Sequence, residues 1–504
     1  MARDLLLGID IGNTVVKAVL FDLAGRQIAR HGVDGATLKP APAMVERPVA
    51  GLWADAQVAI SGCLAAAGAD PARIAAVGLA GHGNGLYLLD RDGAALLGIQ
   101  SLDTRAAGLA ADLDRAVGPD LHAICLQRPW PAQTPVLLAW VKAHRPEVYA
   151  KAATLCFAKD IIACHLTGQR ATEISDMSGA GLLCLPAARY DAGLMALYGL
   201  ADAMPLLPPL KLPTDVVGHV TPAAAAATGL REGTPVVAGY FDVVASALGS
   251  GAVGAGAASV VLGSWSVNQV FADAPVRNAD VFMVAAFGPG RFANMDNSAT
   301  SAANLEWYVR ALIERGAHHD DPFAMVNDLV GRAGVAPDDP MFHPFLYGGR
   351  HGAQQRGGFY GLAGWHDEGH MLRALYEGVA FEHRRHVGVL TAAGAAITEV
   401  ALSGGGTRSP HWPQMMADVL GLPVSLGIAE ETGALGGVMA AAVGVGLFPD
   451  EEAAVAAMTT CKAQLFPDPA RRALHERRFA VWQRLTERME PFWADLAGLR
   501  SHDQ

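Results

Sequence analysis

The sequence predicts an α/β protein of two large domains built on one repeated plan. Three observations carry that prediction: the length, a strand-turn-strand unit that opens each half, and the alternation of strands with helical stretches behind it. At 504 residues the chain exceeds what one hydrophobic core organises, so size alone calls for two large or three smaller domains.

The first strand-turn-strand unit is Leu5-Leu6-Leu7-Gly8-Ile9-Asp10, a turn at Gly12-Asn13-Thr14, and a second strand from Val15 to Asp22. An apolar run bounded by small turn residues reads as a buried hairpin. Near mid-chain the plan recurs as Ala258 to Leu262, Gly263-Ser264-Trp265-Ser266, and Val267 to Phe271. Between the two, residues 74–79 and 86–89 read as strands and 136–144 as a helix. Behind the second, residues 399–402 and 424–426 read as strands, each followed by a glycine-rich turn and a helix. The Gly/Ala tract that follows Ser246 places the boundary near residues 246–258, giving domains 1–250 and 251–504. Residues 316–340 are polar and read as a surface excursion.

Composition narrows the function classes. Apolar residues make up 51% of the chain but only 7% are aromatic, a balance of Ala and Gly that suits tightly packed helices. The uncharged stretch 432–448 holds five glycines and falls short of the roughly 20 strongly apolar residues of a spanning helix; it reads as a buried helix. The amino terminus shows no secretory leader pattern, so a cytoplasmic location is expected. Six cysteines without a C-x-x-C pair suggest neither a disulfide framework nor a zinc site. A net charge of −11 without a basic run argues against nucleic acid and anionic membranes as partners. The expected partner is a small molecule, and a homodimer is left open.

Three segments have the make-up of a phosphate-handling site. Gly12, Asn13 and Thr14 form a turn whose main-chain N–H groups can approach a phosphate, with Lys17 nearby in sequence to add charge. Asp10, at the end of the first strand, is placed to hold a hydrated Mg²⁺; a plain hairpin turn with a solvated Asp fits the same residues. The matching turn at Gly263 and Ser264 lends weight to the phosphate reading, since two such turns could grip a polyphosphate from both sides. Asp242 stands where the buried strand Pro235-Val236-Val237-Ala238 gives way to a helix. It reads either as a helix N-cap or as the base that orients a substrate hydroxyl and takes its proton late in phosphoryl transfer, for which an ordinary carboxylate pKa suffices. Ser403-Gly404-Gly405-Gly406-Thr407-Arg408 follows a strand and precedes a helix. Three successive glycines suit a nucleotide lying over a helix amino terminus, or close strand-to-helix packing.

Taken together and in order, these residues resemble the FGGY carbohydrate kinases. Gly8-Ile9-Asp10-Ile11-Gly12-Asn13-Thr14 is similar to that family's first phosphate motif and Leu262-Gly263-Ser264-Trp265 to its second. Ser403 to Arg408, with Trp412, Gln414 and Glu431-Thr432-Gly433-Ala434-Leu435-Gly436, is similar to its adenosine motif. The resemblance implies two ribonuclease-H-like domains of the actin/hexokinase/Hsp70 type, with ATP and sugar in a central cleft whose closure excludes water. It implies Asp242 as catalytic base, Asp10 and Asp242 as the metal-associated carboxylates, and Gly404, Gly405 and Arg408 beside adenosine. ATP and Mg²⁺ are the expected cofactors.

Sugar hydroxyls are read by amides, carboxylates and imidazoles, with aromatic faces on the carbon skeleton. Candidates are His82, Gly83 and Asn84, then Asp103, then Trp130, together with Asp242 itself; ordinary loop polarity accounts equally for His82. In xylulose kinases the first segment resembles S-G-Q-M-H-G and the second W-N-D-x-R. Here His82, Gly83 and Asn84 replace Q, M and H, and Leu102 stands where N is expected. The pattern resembles most the L-xylulose and 3-keto-L-gulonate kinases, with erythritol kinases nearby, which implies a small ketose or polyol phosphorylated at a terminal hydroxyl. The competing expectations are an actin/Hsp70-like ATPase and a sugar-binding regulator. Glu382-His383-Arg384-Arg385-His386 lacks the H-E-x-x-H spacing of a zinc site and reads as a helix with a polar face.

Overall fold

The computed structural model describes residues 3–315, 320–349 and 354–499. Two compact units emerge. The first comprises Met1–Ala255, Phe271–Asn294 and Ala429–Thr460, and the second Gly256–Val270, Met295–Ile428 and Cys461–Gln504. The chain thus changes unit near residue 255, but the units are not contiguous halves, because two later segments return to the first.

In the first unit, β1 (Leu5–Ile11), β2 (Val15–Asp22) and β3 (Gln27–Asp34) form an antiparallel meander, followed by α1 (Val49–Ala67) and β4 (Ile74–Gly81). β5 (Val216–His219), β6 (Pro235–Val237) and β7 (Tyr240–Phe241) come next, and α2 (Asp242–Gly249) leaves directly from β7. The sheet runs β5-β6-β4-β1-β2-β3, with β7 also pairing β4. β4 lies parallel to β1, β6 and β7. Parallel strands covered on both faces need continuous apolar runs, and every residue of Ile74–Gly81 is buried. α1 is long and apolar enough to cross a membrane by length and composition. Its Leu52, Ala56, Ile60, Cys63 and Leu64 lie in the core with Leu7, Ile9 and Leu20, which accounts for its apolarity as a packing face.

The uncharged stretch 432–448 forms the helix Thr432–Gly444, with Gly433 to Ala442 all buried. Its glycines serve close backbone approach. A Cβ on Gly78 of β4 would stand 2.0 Å from the Gly437 carbonyl oxygen, and one on Gly8 of β1 would stand 2.5 Å from that of Ala434. Only glycine lets strand and helix backbones meet this closely, and this docking draws residues 429–460 back to the first unit.

The second unit repeats the plan. β8 (Ala257–Leu262) and β9 (Ser266–Ala272) form the second hairpin, α3 (Glu368–Ala392) precedes β10 (Glu399–Ser403), and α4 (Trp412–Leu420), β11 (Val424–Gly427) and β12 (Cys461–Leu465) follow. Their order is β9-β8-β10-β11-β12, with β10 parallel to β8 and β11. Trp412 of α4 stacks on Tyr376 of α3, ring centroids 4.1 Å apart, and donates its indole N–H to the Tyr376 carbonyl. The polar stretch read as a surface excursion contains a helix, Pro322–Arg332, of which only Val326 and Val330, one turn apart, are buried. Residues 316–319 of that stretch lie outside the described residues.

Candidate active site

Strand β1 ends at Asp10, and the hairpin register sets Lys17 of β2 directly across from it. The turn between them is tight: the Gly12 N–H donates to the Val15 carbonyl at 3.0 Å. The buried Arg47 guanidinium donates to the Gly12 carbonyl at 2.9 Å and pairs with Asp55 at 3.0 Å. Asn13 donates from its side chain to the Ser101 hydroxyl at 3.0 Å, and the exposed Thr14 lends its carbonyl to the Gly35 N–H at 2.6 Å. The turn is therefore fixed from three sides while its outer edge stays open. Lys17 pairs with Glu431 at 2.8 Å, and Arg30 reaches the same carboxylate at 2.6 Å. The Lys17 charge is thus shared with an acid that the sequence places more than 400 residues away.

Asp242 opens helix α2. The N-cap position falls on Phe241, whose side chain makes no capping bond. Burial, reinforced by the Asp10 charge, pushes the Asp242 carboxyl up to about 8, against the Val243 N–H bond that favours the charged form. Burial likewise raises Asp10 to about 6, with Lys17 opposing and Glu431 adding to the rise. Both side chains keep part of their surface open. The ordinary carboxylate pKa expected for Asp242 is not what this setting provides: an acid set deep beside another acid resists ionisation.

His82, Gly83 and Asn84 follow β4 into the same region. A Cβ on Gly83 would stand 2.6 Å from Asp176 and 2.7 Å from the ring of Phe241, the residue before Asp242. His82 is buried, with Nε2 3.1 Å from the Tyr87 hydroxyl. Its Nδ1 has no partner, and burial lowers its pKa to about 3, leaving a neutral imidazole. Asn84, at φ 60°, bonds the Gly179 carbonyl through its amide NH₂ at 3.4 Å, while its Oδ1 is unpartnered. The Gly85 N–H donates to Ala132, which brings the Trp130 loop alongside; Trp130 packs on Phe282, and its indole N–H is unpartnered. The His82 Nδ1, the Asn84 Oδ1 and the Trp130 indole N–H are thus three buried polar atoms without a hydrogen-bond partner, which native interiors seldom leave unsatisfied. Asp103 is different. It is fully buried, and its oxygens are taken by the Val45 N–H at 2.6 Å, the Arg105 N–H and the Arg105 guanidinium. The carboxylate expected to face a sugar therefore holds the protein's own Arg105.

Sequence reasoning missed a buried charge cluster beneath this region. Lys159 lies 2.7 Å from Asp176, 3.0 Å from Asp160 and 3.2 Å from Glu173. Burial, with Glu173 and Asp160 adding to it, holds Asp176 well above the usual carboxylate range in spite of Lys159. The neighbouring Ser175 hydroxyl accepts the Phe241 N–H at 2.9 Å, so the cluster fixes the backbone one residue before Asp242. The only signal in sequence is a Lys-Asp pair inside the apolar run Phe157-Ala158-Lys159-Asp160-Ile161-Ile162.

In the second unit, the Gly263 carbonyl accepts the Ala302 N–H at 2.8 Å, and Ser264 is exposed. Gly404 has φ 93°, and a Cβ there would meet the Leu262 carbonyl oxygen at 2.6 Å and the Gly263 nitrogen at 3.0 Å; one on Gly406 would strike the Leu262 side chain. Close packing accounts for these two glycines. Gly405 alone faces open space, with nothing within 4 Å of where its Cβ would be, and Arg408 is exposed beside it. The Gly263-Ser264 turn and the glycine triplet are therefore neighbours.

Among the described residues, no group of three or more His, Cys, Asp or Glu side chains could hold a metal ion. A Mg²⁺ held by one or two carboxylates and completed by waters and phosphate oxygens needs no such group. Asp10 and Asp242 fit that role, since a divalent cation would offset the burial that raises Asp242 and the Asp10 charge that adds to it.

The chain matches known proteins along most of its length. Residues 5–249 match the N-terminal domain, and residues 258–445 the C-terminal domain, of the FGGY family of carbohydrate kinases. The chain is 32% identical to the L-xylulose/3-keto-L-gulonate kinase of Escherichia coli (strain K12), over 97% of this chain and 98% of that one. It is 28% identical to the erythritol kinase of Brucella abortus (strain 2308), over 98% of each. The crystal structure of xylulose kinase from Rhodospirillum rubrum superposes with a TM-score of 0.89 at 28% identity, covering 97% of this chain and all of the other. The two-domain, actin/hexokinase-like architecture expected from the motifs is therefore the one this chain adopts, and the chain belongs to the FGGY family of carbohydrate kinases.

Proposed function

We propose that this sugar kinase transfers the γ-phosphoryl group of MgATP to a terminal hydroxyl of a small ketose or polyol, with L-xylulose or a related ketose as substrate. The observation that carries the reading is the pair of deeply set carboxylates, Asp10 and Asp242, beside the Gly12 turn, with Asp242 pushed up to about 8. The names of the relatives support the choice of sugar.

In this reading Gly12, Asn13 and Thr14 form one phosphate-binding turn, with Lys17 lending charge to it, and Gly263 and Ser264 form another. Gly405, with open space where a Cβ would stand, and the exposed Arg408 lie at the adenosine, with Gly404 setting the backbone. The sugar rests against His82, Gly83, Asn84 and Trp130. The His82 Nδ1, the Asn84 Oδ1 and the Trp130 indole N–H are buried without partners, and in this reading a small shift on binding turns them to the sugar hydroxyls.

The transition state of phosphoryl transfer is loose, so the protein's work is positioning and charge stabilisation. Asp242 accepts a hydrogen bond from the attacking hydroxyl and takes its proton as the new O–P bond forms and the bond to the leaving ADP oxygen breaks. A Mg²⁺ at Asp10 and Asp242 would supply charge neutralisation on the phosphate oxygens. Its charge would also favour ionised Asp242, coupling the base to nucleotide binding. Asp103 acts from behind by holding Arg105, which also pairs with Glu46 at 2.8 Å. The Asn13 side chain on Ser101 connects that segment with the first turn. Dependence on ATP as the phosphoryl donor supports a cytoplasmic setting.

The test is ADP release over a panel of L-xylulose, 3-keto-L-gulonate, D-xylulose and erythritol, with ATP and Mg²⁺ present. Stimulation strongest with L-xylulose or 3-keto-L-gulonate supports the reading. Stimulation by erythritol alone would move the substrate to a polyol, and stimulation by none would remove all four.

A further inference from the structure

The segment Glu382-His383-Arg384-Arg385-His386 of α3 does not present a solvated polar face. Glu382, His383 and His386 are fully buried. His386 lies 2.6 Å from Asp296 through Nδ1 and 3.0 Å from the Ser298 hydroxyl through Nε2, and Arg385 pairs with Glu382 at 2.6 Å. These bonds fix the register of α3 against the strand that carries Asp296. His383 faces a different set of partners. Its Nδ1 is 2.7 Å from the Asn268 Oδ1 and 3.1 Å from the Ser266 hydroxyl, and its Nε2 is 3.0 Å from the Ser301 hydroxyl.

The partners assign the proton. The Asn268 amide NH₂ donates to the Asp296 carbonyl and the Ser266 hydroxyl, both at 3.1 Å, so its Oδ1 is the atom turned to His383. A carbonyl oxygen only accepts, so the His383 Nδ1 carries the hydrogen and Nε2 accepts from Ser301. Ser266 is the first residue after the Gly263-Ser264-Trp265 turn. Ser301 precedes Ala302, whose N–H holds the Gly263 carbonyl at 2.8 Å. One imidazole thereby reaches both ends of the turn, through Asn268 and Ser266 on the far side and through Ser301 and Ala302 on the near side.

We propose that His383 is a positioning residue for the Gly263–Trp265 turn, setting its main chain for the polyphosphate of the nucleotide without touching it. The inference rests on the reading of that turn as phosphate-binding. It makes a selective prediction: losing the imidazole slackens the grip on the triphosphate tail and leaves adenosine recognition at Gly405 and Arg408 alone.

The experiment compares the binding of AMP-PNP with Mg²⁺ and of AMP by calorimetry in the wild type and the variants. His383→Ala is expected to weaken AMP-PNP about tenfold, the effect of losing roughly one or two buried hydrogen bonds from a positioned group, and AMP less than twofold. His383→Gln, whose amide offers both a donor and an acceptor, is expected to recover part of the loss. Thr486→Ala removes a buried hydrogen bond to His343 in the same unit that does not reach the turn, and should leave the AMP-PNP to AMP ratio unchanged. Should His383→Ala fail to fold, Ser301→Ala breaks only the near-side link and carries the same selective loss in smaller measure. A wild type that prefers AMP-PNP to AMP, with variants that keep that preference in full, overturns the positioning role while leaving the kinase reading intact. A wild type with no such preference defeats the phosphate-binding reading of the turn and the inference with it.

Discussion

Replacing Asp242 with Asn separates a catalytic carboxylate from a structural one, because the two roles predict opposite changes in stability. Folding raises this acid from the ordinary 3.8 to about 8, so the folded chain holds the proton more tightly than the unfolded one. The stability tied to that proton is complete below about pH 4 and is lost as pH rises through about 8. Each pKa unit is worth about 1.4 kcal/mol, so a rise of about four units sets a ceiling of about 5–6 kcal/mol above pH 8. The partly open side chain is screened by water, which brings the expected figure to about 2–4 kcal/mol. The amide that replaces the carboxyl carries no charge at any pH. Asp242→Asn should therefore melt later than the wild type at pH 8 without nucleotide or Mg²⁺, and the gain should shrink as pH falls, vanishing below about pH 4. Its kcat should fall by about 10²–10⁴, with ATP affinity retained. Differential scanning fluorimetry across pH and the ADP-release assay read both quantities. A variant that loses about 1 kcal/mol at every pH, as a missing helix cap would, and that turns over within tenfold of the wild type, refutes the argument.

Other perturbations address separate parts of the account. Asp10→Asn should raise the Mg²⁺ concentration needed for half-maximal activity at fixed ATP; an unchanged Mg²⁺ titration removes Asp10 from the metal site. Lys17→Ala takes away the charge that opposes the rise of Asp10, so the acid limb of the kcat/KM profile for MgATP should move to higher pH, and an unmoved limb would show that Lys17 serves Glu431 alone. Gly404→Ala forces a methyl group against the Leu262 carbonyl at φ 93° and should destabilise by about 1–3 kcal/mol. Gly405→Ala, in open space, should fold normally and weaken AMP binding; equal stability loss in both variants would contradict the assignment. Gly78→Ala places a methyl 2.0 Å from the Gly437 carbonyl oxygen and should cost about 1–3 kcal/mol or more by displacing the helix Thr432–Gly444, read as a lowered denaturation midpoint.

The parts of the fold legible in the sequence are those set by local pattern. The first hairpin lies at Leu5–Ile11 and Val15–Asp22, and the second at Ala257–Leu262 and Ser266–Ala272, because apolar runs broken by Gly and hydroxyl residues specify strands and turns within a few residues. Asp242 at a strand-to-helix junction was legible for the same reason. What escaped depends on distant partners. Asp103 looks like any exposed loop acid until Arg105 and the Val45 N–H are seen to enclose it. Lys17 meets Glu431, and Lys159 meets Glu173 and Asp176, only after folding. The pattern Glu382 to His386 reads only as a polar helix face because its partners Asp296, Ser298 and Ser301 lie some 80 to 90 residues earlier. The glycine triplet shows a finer limit: three identical residues serve two ends, packing at Gly404 and Gly406 and openness at Gly405.

The central claim is that Asp242 delivers a sugar hydroxyl to the γ-phosphorus of ATP. Single turnover with ATP labelled in the γ-phosphate, with and without L-xylulose or 3-keto-L-gulonate, tests it most directly in the wild type and Asp242→Asn. The account predicts label transferred to sugar phosphate by the wild type and label remaining in ATP with the variant. Transfer at equal rates by both proteins, or release of label to water regardless of sugar, would contradict it.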